Sequence, residues 1–235
     1  MIVLAHRGAS KAAPENTLLA FRLGFAMGAH GVEFDTYQIG DDIVVFHDRW
    51  LHRTTNGRGR VADQTTDYLR SLDAGQGERI PFLAETLATL PEDALCNVEI
   101  KGLTDTARWL SAFDRACEES GASTDAMVIS SFNHQWLAEI SRARPDLKTG
   151  ALTASIHTGL LQFADSLKPW SLHIALDIVD ERYVSRAKAG GYKVFVYTVD
   201  NPEDMLLLQQ WGVDGIFSNV PDVACETLNA TQRMC

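Results

Sequence analysis

A (β/α)8 TIM-type barrel with a small insertion after its second strand is the fold class that this sequence predicts. Three observations carry that expectation. Short apolar runs of strand type recur at 2–5, 31–36, 95–100, 126–130, 147–151, 172–177, 192–197 and 214–217. Segments with helical spacing lie between most of them. Eight such units in 235 residues suit one continuous barrel domain over 1–235. A doubly wound sheet is the competing architecture, but no glycine-rich strand-to-helix turn of dinucleotide-binding type is present.

The elements follow in order. Ile2-Val3-Leu4-Ala5 is the first strand and closes on His6-Arg7-Gly8. Pro14-Glu15 precedes a helical pattern of Leu18, Leu19, Phe21, Arg22, Phe25 and Ala26. The second strand carries Glu33-Phe34-Asp35. Gly40-Asp41-Asp42 is a turn, and Ile43-Val44-Val45-Phe46 is a further extended run that ends at His47-Asp48. Residues 49–80 break the rhythm. Thr54-Thr55-Asn56-Gly57-Arg58-Gly59 and Asp73-Ala74-Gly75 are loop chemistry, so we expect an insertion of loops beside the face where barrel enzymes keep their sites. The third strand ends in Glu99-Ile100-Lys101. Asp105 to Glu119 places Trp109, Leu110, Phe113 and Ala116 on one helical face, and Asn133 to Arg142 does the same with Trp136, Leu137 and Ile140. Asn201-Pro202-Glu203-Asp204 is a helix start: a cap, proline in the first turn, then acids at the positive end. Gly190-Gly191 and Gly212 end helices before the next strands.

Composition narrows the function. The net charge of −10 argues against a nucleic-acid binder with a broad basic surface. No apolar stretch approaches the roughly 20 residues that span a bilayer. Met1 runs straight into the first strand without a basic leader or small-residue cleavage site, so no signal peptide and no membrane partner are expected. The four cysteines, Cys96, Cys117, Cys225 and Cys235, form no CxxC pair. They read as indifferent thiols in a reducing, cytoplasmic setting. No exposed apolar stripe fixes an oligomeric state, and a homodimer stays open.

The chemistry lies at strand ends. Glu33 and Asp35 are two apart on a strand, so both side chains face the barrel interior together. Glu99 and Lys101 repeat that spacing on the neighbouring strand. Carboxylates held together away from water repel unless a cation joins them. Glu33, Asp35 and Glu99 therefore form an oxygen-ligand site for one divalent cation, Mg²⁺ or Ca²⁺. Salt bridges to Arg7 and Lys101 would explain the pairs taken singly. Two histidines beside the cluster favour the metal reading. His6 and His47 titrate near neutrality and can serve as acid and base. Arg7 offers a fork matched to a phosphate oxyanion and Lys101 a compact second charge. Together these groups fit hydrolysis of a phosphate ester. No GxSxG nucleophile elbow is present. His30, His52, His134, His157 and His173 lack partners at ligand spacing and read as structural or surface residues. Asp177, at the end of the sixth run, and Tyr197, at the end of the seventh, are candidates to line the pocket. Asp214-Gly215 reads as a turn.

The order of motifs resembles the glycerophosphodiester phosphodiesterase family, in its bacterial cytosolic form. The segments that carry the resemblance are HRGAS, PENT, VEFDTYQIGDDIVVFHD, LHRTTNGRG, SLDAG, NVEIK, VISSF, VYTVDNPEDM and WGVDGIFSNVPD, from residue 3 to about residue 223. The resemblance implies a barrel that hydrolyses glycerophosphocholine, glycerophosphoethanolamine and similar small diesters to sn-glycerol 3-phosphate and an alcohol. It implies a single cation on Glu33, Asp35 and Glu99, acid/base roles for His6 and His47, and phosphate contacts from Arg7 and Lys101. It also implies that Glu15 and Asn16 brace the catalytic loop or line its edge, and that 49–80 caps the glycerol side. The sequence departs from the family at Tyr197, where Trp is usual, and at Ser218-Asn219, where Thr-Asp is usual. It departs again at Ile80-Pro81-Phe82-Leu83-Ala84-Glu85, where the usual sequence is IPTLEE. Two other readings compete. A lysophospholipase D would need an apolar groove, for which Trp50-Leu51 is the candidate. A non-catalytic phosphodiester-binding barrel would not need intact histidines.

Overall fold

The computed structural model describes residues 1–156, 159 and 161–232. His157 and Cys235 lie outside the described residues. Eight parallel strands close into a barrel: β1 (Ile2–His6), β2 (Gly31–Ile39), β4 (Leu95–Gly102), β5 (Met127–Ser131), β6 (Lys148–Thr153), β7 (Ser171–Ala175), β8 (Lys193–Tyr197) and β9 (Gly215–Ser218). Closure comes from β1, which pairs in parallel with both β2 and β9. β3 (Asp42–Val45) folds back antiparallel on β2 as a hairpin beyond the barrel wall.

The helices follow the strands in turn: α1 (Leu18–Ala26), α2 (Thr66–Ser71), α3 (Leu83–Leu87), α4 (Thr106–Ser120), α5 (His134–Ala143), α6 (Gln162–Leu167), α7 (Glu181–Ala189), α8 (Pro202–Gln210) and α9 (Pro221–Gln232). Their starts are chemical. Thr17, Asp105, Asn133, Asp180 and Asn201 accept from the first free amides of α1, α4, α5, α7 and α8. Each strand alternates. Val32, Phe34, Cys96, Val98, Ile100 and Ile129 pack outward against helices, as do Leu172, Ile174, Val194, Val196 and Ile216 on the far side. The inward residues fill the barrel axis. At its closed end Leu4, Phe195 and Phe217 pack together, with the His173 ring 5.5 Å from Phe195 and 5.1 Å from Phe217. His173 is structural, as the sequence suggests. A side chain at Gly31 would lie 2.0 Å from the Leu95 carbonyl oxygen, so a bare backbone is needed there for β2 and β4 to pair closely.

Two expectations are corrected. The run over 172–177 is a strand only to Ala175. Leu176–Ile178 turns away as a single 3-10 turn, and Asp177 on it is exposed. The insertion is not loop throughout. It holds 3-10 turns at Leu51–Arg53 and Val61–Asp63, and the helix α2, capped by Thr65. Leu51, Val61, Leu69, Leu72 and Ile80 pack it against Tyr37, Ile39, Val44 and Phe46 of the β2–β3 hairpin.

Candidate active site

Strand register assembles the site before any side chain is considered. His6 on β1 stands opposite Glu33 on β2, and Asp35 on β2 stands opposite Glu99 on β4. All four point inward at the carboxyl end of the barrel, the end where parallel-barrel loops gather. The ligand oxygens of Glu33, Asp35 and Glu99 lie within 4.8 Å of one another, and all three residues are buried. His6 Nε2 sits 3.8 Å from Glu33 Oε2.

The cluster is partly neutralised by its own chain. Lys101 Nζ donates to Glu99 Oε1 at 2.8 Å and lies 3.8 Å from Asp35 Oδ1. Arg7 Nε forms an ion pair with Asp35 Oδ2 at 3.2 Å, and Arg7 Nη1 donates to Glu15 Oε1 at 3.0 Å. Two cations against three carboxylates leave an excess negative charge. Burial, then the charges of Asp35 and Glu99, push the Glu33 carboxyl well above its ordinary range. Burial and Asp35 push Glu99 up to about 7. Glu33 Oε1 is buried without a hydrogen-bond partner. A converging set of oxygen donors, one of them orphaned and short of positive charge, fits a hard divalent cation.

Arg7 and Asn16 have positive φ, 58° and 57°, and hold the loop between β1 and α1 tight. The Arg7 amide donates to the Glu33 main-chain oxygen at 2.9 Å and to Glu33 Oε2 at 3.1 Å. Asn16 Nδ2 donates to Asp35 Oδ2 at 3.0 Å. Asn16 thus ties this loop to the Asp35 carboxylate.

The second histidine enters from outside the barrel wall. His47 follows β3, and its Nδ1 lies 2.6 Å from Asp48 Oδ1. An ionised carboxylate only accepts, so Nδ1 is the donor and Nε2 is left for chemistry. Arg53, from the insertion, forks onto both Asp48 oxygens and donates to Glu15 at 2.9 Å and 2.5 Å. Hydrogen bonds from Arg53 are the main cause of an Asp48 carboxyl held down to about 2. Glu15, His47 and Asp48 could also hold an ion on spacing alone, but Arg53 already fills the space between the two carboxylates. A continuous polar chain therefore links Asp35, Arg7, Glu15, Arg53, Asp48 and His47.

The sequence located His6, Arg7, Glu15, Glu33, Asp35, His47, Glu99 and Lys101, and the fold brings them together. Tyr197 ends β8 at the rim, with Phe132 edge-on at 5.9 Å. Its hydroxyl donates to the Thr153 carbonyl at 2.9 Å, so the group added relative to Trp faces β6. Asp177 stays exposed on the turn after β7. Arg53 was missed because nothing in a loop sequence shows where a long side chain reaches. Phe132, 47% exposed with Lys101 Nζ 5.7 Å from its ring, was missed too. The apolar pair proposed for a lipid groove is not one: Trp50 is 49% exposed but Leu51 is fully buried. No described helix is long and apolar enough to cross a membrane.

Comparison with known proteins agrees with this fold. The profile of the glycerophosphoryl diester phosphodiesterase family matches residues 6–223. A glycerophosphodiester phosphodiesterase of Caldanaerobacter subterraneus is 37% identical over 94% of this chain and 95% of its own length. The structure of an Oleispira antarctica phosphodiesterase in complex with the product sn-glycerol-3-phosphate superposes with a TM-score of 0.90. It is 30% identical and covers 97% of both chains. The Thermotoga maritima glycerophosphodiester phosphodiesterase is 25% identical with a TM-score of 0.79, covering 96% of this chain and 97% of its own. A profile that begins at His6 and ends just past β9 leaves almost no part of the barrel unmatched, and the chain belongs to the glycerophosphoryl diester phosphodiesterase family.

Proposed function

We propose that the protein hydrolyses small glycerophosphodiesters, glycerophosphocholine and glycerophosphoethanolamine among them, to sn-glycerol 3-phosphate and the free alcohol. One observation carries the proposal: three buried carboxylates short of positive charge share the barrel mouth with two histidines, an arginine and a lysine. A divalent cation bound by Glu33, Asp35 and Glu99 would supply Lewis-acid polarisation of a phosphoryl oxygen.

The chain's own groups do the rest. Arg7 and Lys101 offset negative charge that grows on the phosphoryl oxygens. His6 is backed by the neutral Asn219 amide and neighbours Arg7. Burial first, then Arg7, holds it down to about 4, so it presents a neutral Nε2 that accepts a proton from the nucleophile. His47, held through Nδ1 by the Asp48 carboxylate, is the other member of the pair and donates to the departing alkoxide oxygen from Nε2. The nucleophile is water or the substrate's glycerol 2-hydroxyl. Sustained turnover of a 2-deoxy substrate would exclude the second. Residues 49–80 cap the glycerol side, a role supported by Arg53 reaching from this segment into the site.

The test is release of glycerol 3-phosphate from glycerophosphocholine and glycerophosphoethanolamine with EDTA, Mg²⁺ or Ca²⁺ present. We expect EDTA to abolish release and one of the two cations to restore it. No release with either cation, from protein shown to be folded, would overturn the proposal.

A further inference from the structure

We propose that Asp200 and Asn219 are positioning residues that lock His6 in the tautomer with its proton on Nδ1, keeping the Nε2 lone pair toward the carboxylate cluster. Neither contacts the cluster itself, and Asn219 stands where Asp is usual in the family.

The network is anchored on one carboxylate. Asp200 follows β8 and accepts from the Asn219 backbone amide at 2.8 Å, from Ser218 Oγ at 3.2 Å and from Asn219 Nδ2 at 2.7 Å. An ionised carboxylate has no proton to give, so the amide nitrogen of Asn219 must face Asp200. Its oxygen, Oδ1, is thereby turned the other way. There it meets His6 Nδ1 at 2.7 Å and Ser10 Oγ at 2.8 Å. The Ser10 hydroxyl lies also 2.9 Å from the His6 main-chain oxygen, so its single hydrogen has two acceptors within reach. An amide oxygen only accepts. The short contact to His6 Nδ1 is a hydrogen bond only if Nδ1 carries the hydrogen. The other tautomer would set two lone pairs 2.7 Å apart. In the neutral ring Nε2, which faces Glu33 Oε2 at 3.8 Å, is then the unprotonated nitrogen.

The chemistry explains why two residues are needed. An aspartate at 219 would accept from His6 in either orientation of its carboxyl. An asparagine is two-faced, and rotated by half a turn it would offer N–H groups to His6 and select the wrong tautomer. Asp200 removes that choice. Its consequence for rate rests on His6 being the proton acceptor proposed above, whereas the tautomer itself does not.

Two measurements on the full chain test this, each with Mg²⁺ and with EDTA. Long-range ¹H–¹⁵N correlation of ¹⁵N-histidine-labelled protein reads the tautomer, with the His6 signals assigned by their loss in His6→Gln. Wild type is expected to show Nδ1–H at His6. Asp200→Asn frees the amide to rotate and is expected to mix the tautomers. It should lower kcat on the order of 10²-fold, as loss of a correctly oriented base does, with KM changed by less than about threefold. The exchange Asp200→Asn with Asn219→Asp restores a donor at 200 and an acceptor at 219. It is expected to return both Nδ1–H and kcat to within about fivefold of wild type. A thermal melt of each variant establishes that it is folded, and Asn219→Leu, which offers no acceptor, repeats the test should Asp200→Asn fail to fold. Wild-type His6 protonated on Nε2, or an Nδ1–H signal and kcat unaffected in both single variants, would overturn the proposal. An enzyme without phosphodiesterase activity whose His6 still shows Nδ1–H would remove the function proposed above and leave the tautomer standing.

Discussion

Replacing Glu33 by Gln should make the metal-free protein more stable and the enzyme inactive. The ligand oxygens of Glu33, Asp35 and Glu99 lie within 4.8 Å. At that spacing two full charges repel by about 3–4 kcal/mol at an effective dielectric of ~20. Arg7 and Lys101 offset part of this, and the repulsion that remains helps to raise the Glu33 carboxyl. Gln keeps an oxygen to accept from the Arg7 amide, a contact of 3.1 Å in the native site. Its NH2 can take the place of Oε1, which has no partner now. The net gain in EDTA is expected at about 1–3 kcal/mol, or roughly 2–12 °C in Tm for a chain of this size. Added Mg²⁺ or Ca²⁺ should raise the wild-type Tm, by about 2.7 kcal/mol at a hundred times Kd, and leave the variant unmoved. Thermal melts with EDTA and with each cation, alongside glycerol 3-phosphate release, are the assay. A Glu33→Gln protein that melts below wild type in EDTA, or that keeps a cation-dependent rise and turnover, would refute the reasoning. The cluster would then be a set of salt bridges.

Two further outcomes are expected. Arg53→Lys keeps the charge but loses the fork that joins Asp48 to Glu15. Turnover should fall by about 10–100-fold through a loosened His47. Tm should drop by no more than about 4 °C, because the side chain is 47% exposed and such pairs contribute little. Unchanged kcat would show that the insertion does not position His47. His173 is buried and, through burial, held down to about 3. The unfolded chain takes up its proton near pH 6.5 and the folded one does not. Stability is therefore complete above about pH 6.5 and falls as pH drops toward 3, by up to about 5 kcal/mol. In His173→Leu the acid unfolding midpoint, followed by circular dichroism, should move to lower pH. No movement, or a shift upward, would count against this.

Much of the fold was readable because a parallel barrel writes itself as short apolar runs of similar length. The runs ending at Ala5, Ile100 and Tyr197 fall within a residue or two of strand ends. Leu176-Asp177-Ile178 was misread because one 3-10 turn alternates apolar and polar just as a strand does. α2 was missed because its six residues are too few to display a period, although Thr65 supplies a cap. At the site, the spacing of Glu33 with Asp35 and of Glu99 with Lys101 dictates one face, so those residues were legible. Arg53, Asp200 and Phe132 were not. Their partners are chosen by tertiary packing: Asp200 serves the site only because β8 and β9 are neighbours, and Arg53 only because the insertion folds back over β3.

The seam between β1 and β9 has a consequence for how activity is acquired. His6 and the residue that orients it stand 213 positions apart and meet only where the last strand docks beside the first. The three clustered carboxylates all lie before residue 100, on β2 and β4, whereas the partner of His6 Nδ1 comes from the residue just after β9. Ring closure is therefore the step that joins the carboxylate cluster to an oriented His6.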